Sequence, residues 1–116
     1  MPTLFYQFTN LESFILTRNT FTVSDTGDVS VVLVQYKTGC ATGGWGCGVD
    51  LTYAIVSDND ASCIYPLYGP IEVNGAYKDT SQTIVFKNVS PGTYRLCIRN
   101  KDFAVPADGN GYIYYG

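Results

Sequence analysis

Cys40, Cys47, Cys63 and Cys97 are the side chains of this 116-residue chain best able to make or break covalent bonds. A thiolate can attack a substrate, ligate a metal or oxidise to a disulfide, and its neighbours decide which. The chain contains no histidine, so the commonest general base and triad partner is missing. Arg95 and Arg99 flank Cys97; they can lower a thiol pKa but cannot accept its proton. Glu12 and Glu72 are the only glutamates, so a glycosidase pair would have to draw on aspartates such as Asp50, Asp58 or Asp60 in turns. No Gly-x-Ser-x-Gly elbow, Walker loop or dinucleotide fingerprint occurs. These absences predict a protein that is not an enzyme and that needs no cofactor.

The remaining chemistry of the cysteines is structural. An even number in a small chain predicts disulfides and an oxidising destination, extracellular or on a cell or virion surface. Cys40 and Cys47 bracket a short glycine-rich loop and are expected to pair, which leaves Cys63 for Cys97. Zinc fits poorly, because neither pair has the spacing of a structural knuckle and no histidine can complete a site. Asp58 and Asp60 invite a calcium reading, but the loop pattern of an EF-hand is absent and a polar turn accounts for them.

Binding rather than catalysis is the theme of the aromatic residues. Trp45 sits inside the loop between Cys40 and Cys47, either folded back as a cap on the core or exposed as an anchor. With ten tyrosines among Asn and Asp, an exposed Trp45 would suit a carbohydrate-binding module. The two ends are apolar as well: Leu4, Phe5, Tyr6 and Phe8 near the start, Tyr112, Ile113, Tyr114 and Tyr115 near the finish. Terminal segments usually fray, so these need covering. Residues 1–12 are read as a first strand of the domain's own sheet or as an extension lent to a neighbouring subunit, with residues 13–116 forming the body.

The elements that must position these residues are strands. Apolar residues alternate through Ile84 and Phe86 and again through Tyr94, Leu96 and Ile98, on either side of Ser90-Pro91-Gly92. This predicts a hairpin or arch with a type II turn, Gly92 supplying a positive φ. Thr83, Val85, Lys87, Arg95, Cys97 and Arg99 form its wet side. Val29 to Tyr36 reads as a central strand buried on much of both faces and paired with Val49 to Val56 across the glycine loop. Phe14–Val23 reads as one strand broken near Arg18-Asn19. Cys63 to Pro70 is too interrupted for a central strand. Asn74-Gly75 signals a two-residue hairpin, and residues 101–111 a long loop before a last strand at Tyr112. Turns divide the chain into seven to nine short strands with no convincing helix, which predicts an all-β, two-layer antiparallel β-sandwich.

The run from Phe86 through Asn88-Val89-Ser90-Pro91-Gly92-Thr93-Tyr94 to Leu96 and Ile98 resembles the late hairpin of immunoglobulin-like sandwiches, including fibronectin type III modules. Jelly-roll subunits of appendages and virions are equally compatible. The resemblance covers that hairpin alone, so it implies a sandwich fold and nothing about activity.

Net charge −3 excludes a phosphate-binding footprint, so no nucleic-acid partner is expected, and no apolar run is long enough for a membrane span. Charged residues are only 15% of the chain, which leaves an uncharged surface suited to hydrogen-bonded contacts. The reading that accounts for both apolar ends is a structural or adhesive subunit, self-associating into a filament, appendage or virion-type assembly through its terminal strands. A carbohydrate-binding module using Trp45 is the alternative, and an inhibitor-like ligand presenting the Cys40–Cys47 loop is a third.

Overall fold

The computed structural model describes residues 2–40 and 46–115. Nine strands build two antiparallel sheets packed face to face: β1 (Thr3–Leu11), β2 (Phe14–Leu16), β3 (Phe21–Val23), β4 (Gly27–Lys37), β5 (Val49–Ser57), β6 (Tyr68–Gly75), β7 (Tyr77–Val89), β8 (Gly92–Asn100) and β9 (Ala107–Tyr114). One sheet has the order β1-β9-β4-β7; in the other the order is β2-β8-β5-β6, with β3 also paired to β8. The expected all-β sandwich is therefore the fold. Alternation puts Val29, Val31 and Leu33 of the first sheet against Leu51, Tyr53, Ile55, Leu96 and Ile98 of the second, all buried.

The pairings depart from the expected hairpins, because the chain changes sheet at most turns. β4 and β5 do not pair; they lie in opposite sheets, and the glycine loop crosses between them. Asn74-Gly75 likewise does not close a hairpin, since β6 pairs with β5 and β7 with β4. Ser90-Pro91-Gly92 is an arch from one sheet to the other, so Val85 and Arg95 point outward from opposite sides of the molecule. Gly92 does not adopt the positive φ of a type II turn. Its small size is what matters, because an added Cβ would stand 2.9 Å from the Tyr94 hydroxyl. Tyr94 donates that hydroxyl to the Ser90 carbonyl at 2.6 Å, and the Ser90 amide donates to the Tyr68 hydroxyl at 2.9 Å. The first bond ties the ring at the start of β8 back to the arch.

β4 is central but not buried on both faces: Val29, Val31, Leu33 and Gln35 are buried, while Ser30, Val32, Val34 and Tyr36 are half-exposed. β2 and β3 are the broken strand, both paired to β8, and Thr17 fills the break by accepting the Leu96 amide on its hydroxyl at 3.2 Å. Residues 63–67 form an irregular connection within one sheet, joining β5 to its neighbour, the edge strand β6. Residues 107–111 are strand where a loop was expected. The rings of Tyr6 and Phe8 lie over Gly111 and Gly109, so these glycines make room for aromatic cover.

Residues 3–11 are a strand of the chain's own sheet, paired in register from Thr3 opposite Tyr114 to Phe8 opposite Gly109. The division at residue 12 accordingly separates nothing: Tyr6, Phe8 and Leu11 belong to the same core as the body. Asn100 ties the crossing from β1 to β2, donating its side-chain amide to the carbonyls of Leu11 and Val105, each at 2.9 Å.

Candidate functional site

Both expected disulfides form. Cys40 bonds Cys47, with Cα atoms 5.8 Å apart, and Cys63 bonds Cys97 at 6.3 Å. No free cysteine is present, so the outward-facing Cys97 is not available to bridge another molecule. It is buried with Val56 and Cys63 under Phe14 and Leu16 on the outer side of the second sheet. Trp45 lies outside the described residues. The base of its loop is held by the Lys37 amide on the Cys47 carbonyl at 2.8 Å and by Thr38, whose hydroxyl donates to Asp108 at 2.7 Å.

The terminal residues separate by strand parity. Tyr6, Phe8 and Ile113 are core, and Leu4 and Tyr115 pack partly against it. Phe5 and Tyr112 point the other way and are 49% and 47% exposed, which few aromatic side chains in a sheet are. They stand opposite each other in register, ring centroids 5.2 Å apart, and Tyr114 follows Tyr112 at 6.5 Å. Pairing across the sheet extends them into rows. Phe5, Tyr112, Val32 and Thr83 form one row; Thr3, Tyr114, Ser30 and Val85 form the next; Gln7, Asn110 and Val34 a third. None of these residues carries a charge. Charges stand at the ends of the face: the Lys87–Asp28 ion pair of 3.2 Å at one, and Asp108 with Lys78, whose ammonium lies 4.7 Å over the Tyr36 ring, at the other. Asp28 is held below the usual carboxylate range by the Asn88 amide and then by Lys87.

This face is bounded by β1, which has a partner on one side only. Its sequence from Thr3 to Leu11 has no charge and no proline, the devices that ordinarily stop edge strands from pairing with other chains. The other edges are guarded. β7 carries Lys78, Asp79 and Lys87, β6 carries Pro70 and Glu72, and β2 and β3 are three residues long. Beside the open edge of β1 runs a groove of about 450 Å³ between the two sheets, lined by Phe5, Phe8, Ile15, Thr17, Arg18 and Ile98 among others.

No family model matches the chain, and no curated protein matches it. Among solved structures it is similar to the pre-peptidase C-terminal domain of a collagenase from Bacillus anthracis, with TM-score 0.49 and 14% identity over 96% of this chain and 87% of that one. A likeness at that level carries no inference about activity.

Inside the sandwich a polar cluster joins the sheets. The Tyr53 hydroxyl donates to Gln35 Oε1 at 2.8 Å, and Gln35 Nε2 donates to the Val73 carbonyl at 2.9 Å. The Tyr6 hydroxyl neighbours Tyr53 but makes no hydrogen bond of acceptable geometry. Burial pushes both phenols above the ordinary tyrosine pKa, so both stay neutral. Asp60 accepts backbone amides from Ser62 at 2.9 Å, Cys63 at 3.0 Å and Tyr65 at 3.4 Å, and these bonds lower its pKa. It is a turn-former, and among the described residues no group of three or more Asp, Glu, Cys or His is placed to hold a metal.

Sequence reasoning placed Val85 outward but missed the contributions of Val32, Gln7 and Asn110 to the exposed face. The unbroken Val-rich run of β4 was the available signal: apolar residues at both parities mean that the outer side is apolar too. It also missed Ile64, Tyr65 and Leu67, which the Cys63–Cys97 bridge and Asp60 hold out in solvent.

Proposed function

We propose that the protein is a non-enzymatic structural or adhesive subunit that works outside the reducing cytoplasm by associating with copies of itself through the outer face of the four-stranded sheet. The observation that carries this reading is the three uncharged rows around Phe5 and Tyr112, where a one-sided antiparallel sheet ordinarily presents polar and charged residues to water. Within these rows Phe5, Tyr112 and Val32 make an exposed apolar patch, and such patches mark interaction sites. Two disulfides suit an oxidising setting. A flat glycan surface is less well supported, because the Phe5 and Tyr112 rings are tilted by 57° to one another and Tyr112 and Tyr114 by 40°, so they offer no common plane.

The experiment is light scattering and electron microscopy of the native protein beside Tyr112→Lys. Assembly that the substitution abolishes, with the circular dichroism spectrum unchanged, supports the reading. Equal assembly of both, or none by the native protein, refutes it.

A further inference from the structure

The hydrogen-bond phase of β1 identifies which of its main-chain groups are open. The Tyr115 amide donates to the Pro2 carbonyl at 3.2 Å, and the register continues through Leu4 opposite Ile113, Tyr6 opposite Gly111 and Phe8 opposite Gly109. Bonded and unbonded positions alternate along an antiparallel pair. Leu4, Tyr6 and Phe8 therefore direct their N–H and C=O to β9, while Thr3, Phe5 and Gln7 turn theirs to the unpaired edge.

We propose that this edge takes β1 of a second copy, antiparallel, about a two-fold axis through Phe5, so that Thr3 faces Gln7 of the partner and the two Phe5 residues face each other. This rests on the self-association reading above and adds an edge contact beside the sheet face. The register is the one that uses every open position of the regular strand, because the ladder shifts between Phe8 and Leu11, where Asn10 takes φ 53°. Each facing pair exchanges two main-chain bonds. The side chains agree with the backbone. Thr3 and Gln7 are a polar pair, and the two Phe5 rings join the row of Phe5, Tyr112 and Val32 to its copy, making one uncharged band across both molecules.

The self-complementary register singles out a second copy as the occupant, and charge on the strand does not oppose it. The molecule carries net charge −3, and like charges facing each other across paired strands are destabilising. β1 and the rows behind it are free of charge, so the paired strands themselves meet without repulsion, and Arg18 in the groove is a charge beside them. Space is available because β2, which faces β1 from the other sheet, is three residues long and leaves the groove lined by Ile15 and Thr17 beside the open edge. The paired stretch is short and covers less than the ~800 Å² per partner of a standard interface. The dimer is therefore weak, with dissociation in the micromolar to millimolar range.

The test is disulfide trapping under mild oxidation, which needs Cα atoms within about 4.4–6.8 Å; a bonded antiparallel pair provides about 5.5 Å. Thr3→Cys and Gln7→Cys, mixed, cross-link to each other at least tenfold more than either does alone. Gln7→Pro removes one open N–H without touching the bonds to β9, and it weakens self-association seen by sedimentation at least tenfold. Equal cross-linking in all three samples, or native-strength association of Gln7→Pro, overturns the strand pairing while leaving association through the sheet face intact. A native protein that stays monomeric up to about 1 mM, an affinity of only some 4 kcal/mol, overturns both.

Discussion

Gly111→Ala tests the packing that presents the exposed face. A Cβ at this position would lie 2.5 Å from the Val32 carbonyl oxygen and 2.7 Å from the Tyr6 hydroxyl. The first obstacle is backbone of the central strand β4, which cannot rotate away; the second is a ring held in the core by its neighbours. β9 must lift off β4, weakening ladder bonds worth about 1 kcal/mol each, and the core must take up the displaced Tyr6 ring at about 1–3 kcal/mol. Together these put the destabilisation at about 2–4 kcal/mol. At about 4 °C per kcal/mol for a domain of this size, the midpoint falls by about 8–16 °C. Thermal denaturation followed by circular dichroism under non-reducing conditions measures it. Gly39→Ala is the control: its Cβ meets nothing within 4 Å, so only the positive φ of 84° penalises it, at about 1–2 kcal/mol. A midpoint for Gly111→Ala within about 2 °C of the native one, about half of what 1 kcal/mol produces, would refute the reasoning.

Other outcomes follow from the same contacts. Tyr53→Phe leaves Gln35 Oε1 buried without a donor and destabilises by about 1–3 kcal/mol, whereas Tyr6→Phe removes a hydroxyl that has no partner and is neutral or stabilising; urea unfolding distinguishes them. Removing the Cys63–Cys97 bridge by double serine substitution releases a closed loop spanning 34 residues, a loss of about 3–4 kcal/mol in the chain-entropy model, read as a lower urea midpoint. Asp60 and Asp28 have folded-state pKa values below their unfolded ones, so their contribution is present above the ordinary carboxylate pKa near 3.8 and is lost as pH falls through the lower folded values. Asp60→Asn flattens that acid limb of a stability-versus-pH curve; an unchanged limb would contradict the assignment. Burial of Tyr6 and Tyr53 works at the other end, where stability begins to fall as pH rises past the ordinary phenol value near 10.

The sandwich and its faces were legible because period-two alternation is local: Tyr94, Leu96 and Ile98 announce their burial by spacing alone. Both disulfide pairings were legible too, one from the short interval between Cys40 and Cys47 and the other by subtraction. Strand partners were not. Asn74-Gly75 and Ser90-Pro91-Gly92 both mark chain reversals, yet nothing local distinguishes a reversal within a sheet from an arch between sheets, and here the chain arches at both. Gly109 and Gly111 read as loop because glycine lacks a side chain to alternate; only the rings of Tyr6 and Phe8, about a hundred residues away in sequence, explain them. The terminal residues read as one apolar set, and the structure divides them: Tyr6, Phe8 and Ile113 are core, while Phe5 and Tyr112 are exposed. Parity within β1 and β9 decides which of them are core and which face out, and that depends on where the second sheet lies.

The central claim is that the molecule meets its copies on the face carrying Phe5 and Tyr112. Amide NMR spectra recorded as protein concentration is raised test it most directly. The account predicts shifts concentrated at Thr3, Phe5, Gln7, Tyr112 and Tyr114, with Arg95 and Thr52 on the opposite sheet unmoved. Spectra independent of concentration, or shifts centred on Ile64 to Leu67, would contradict it.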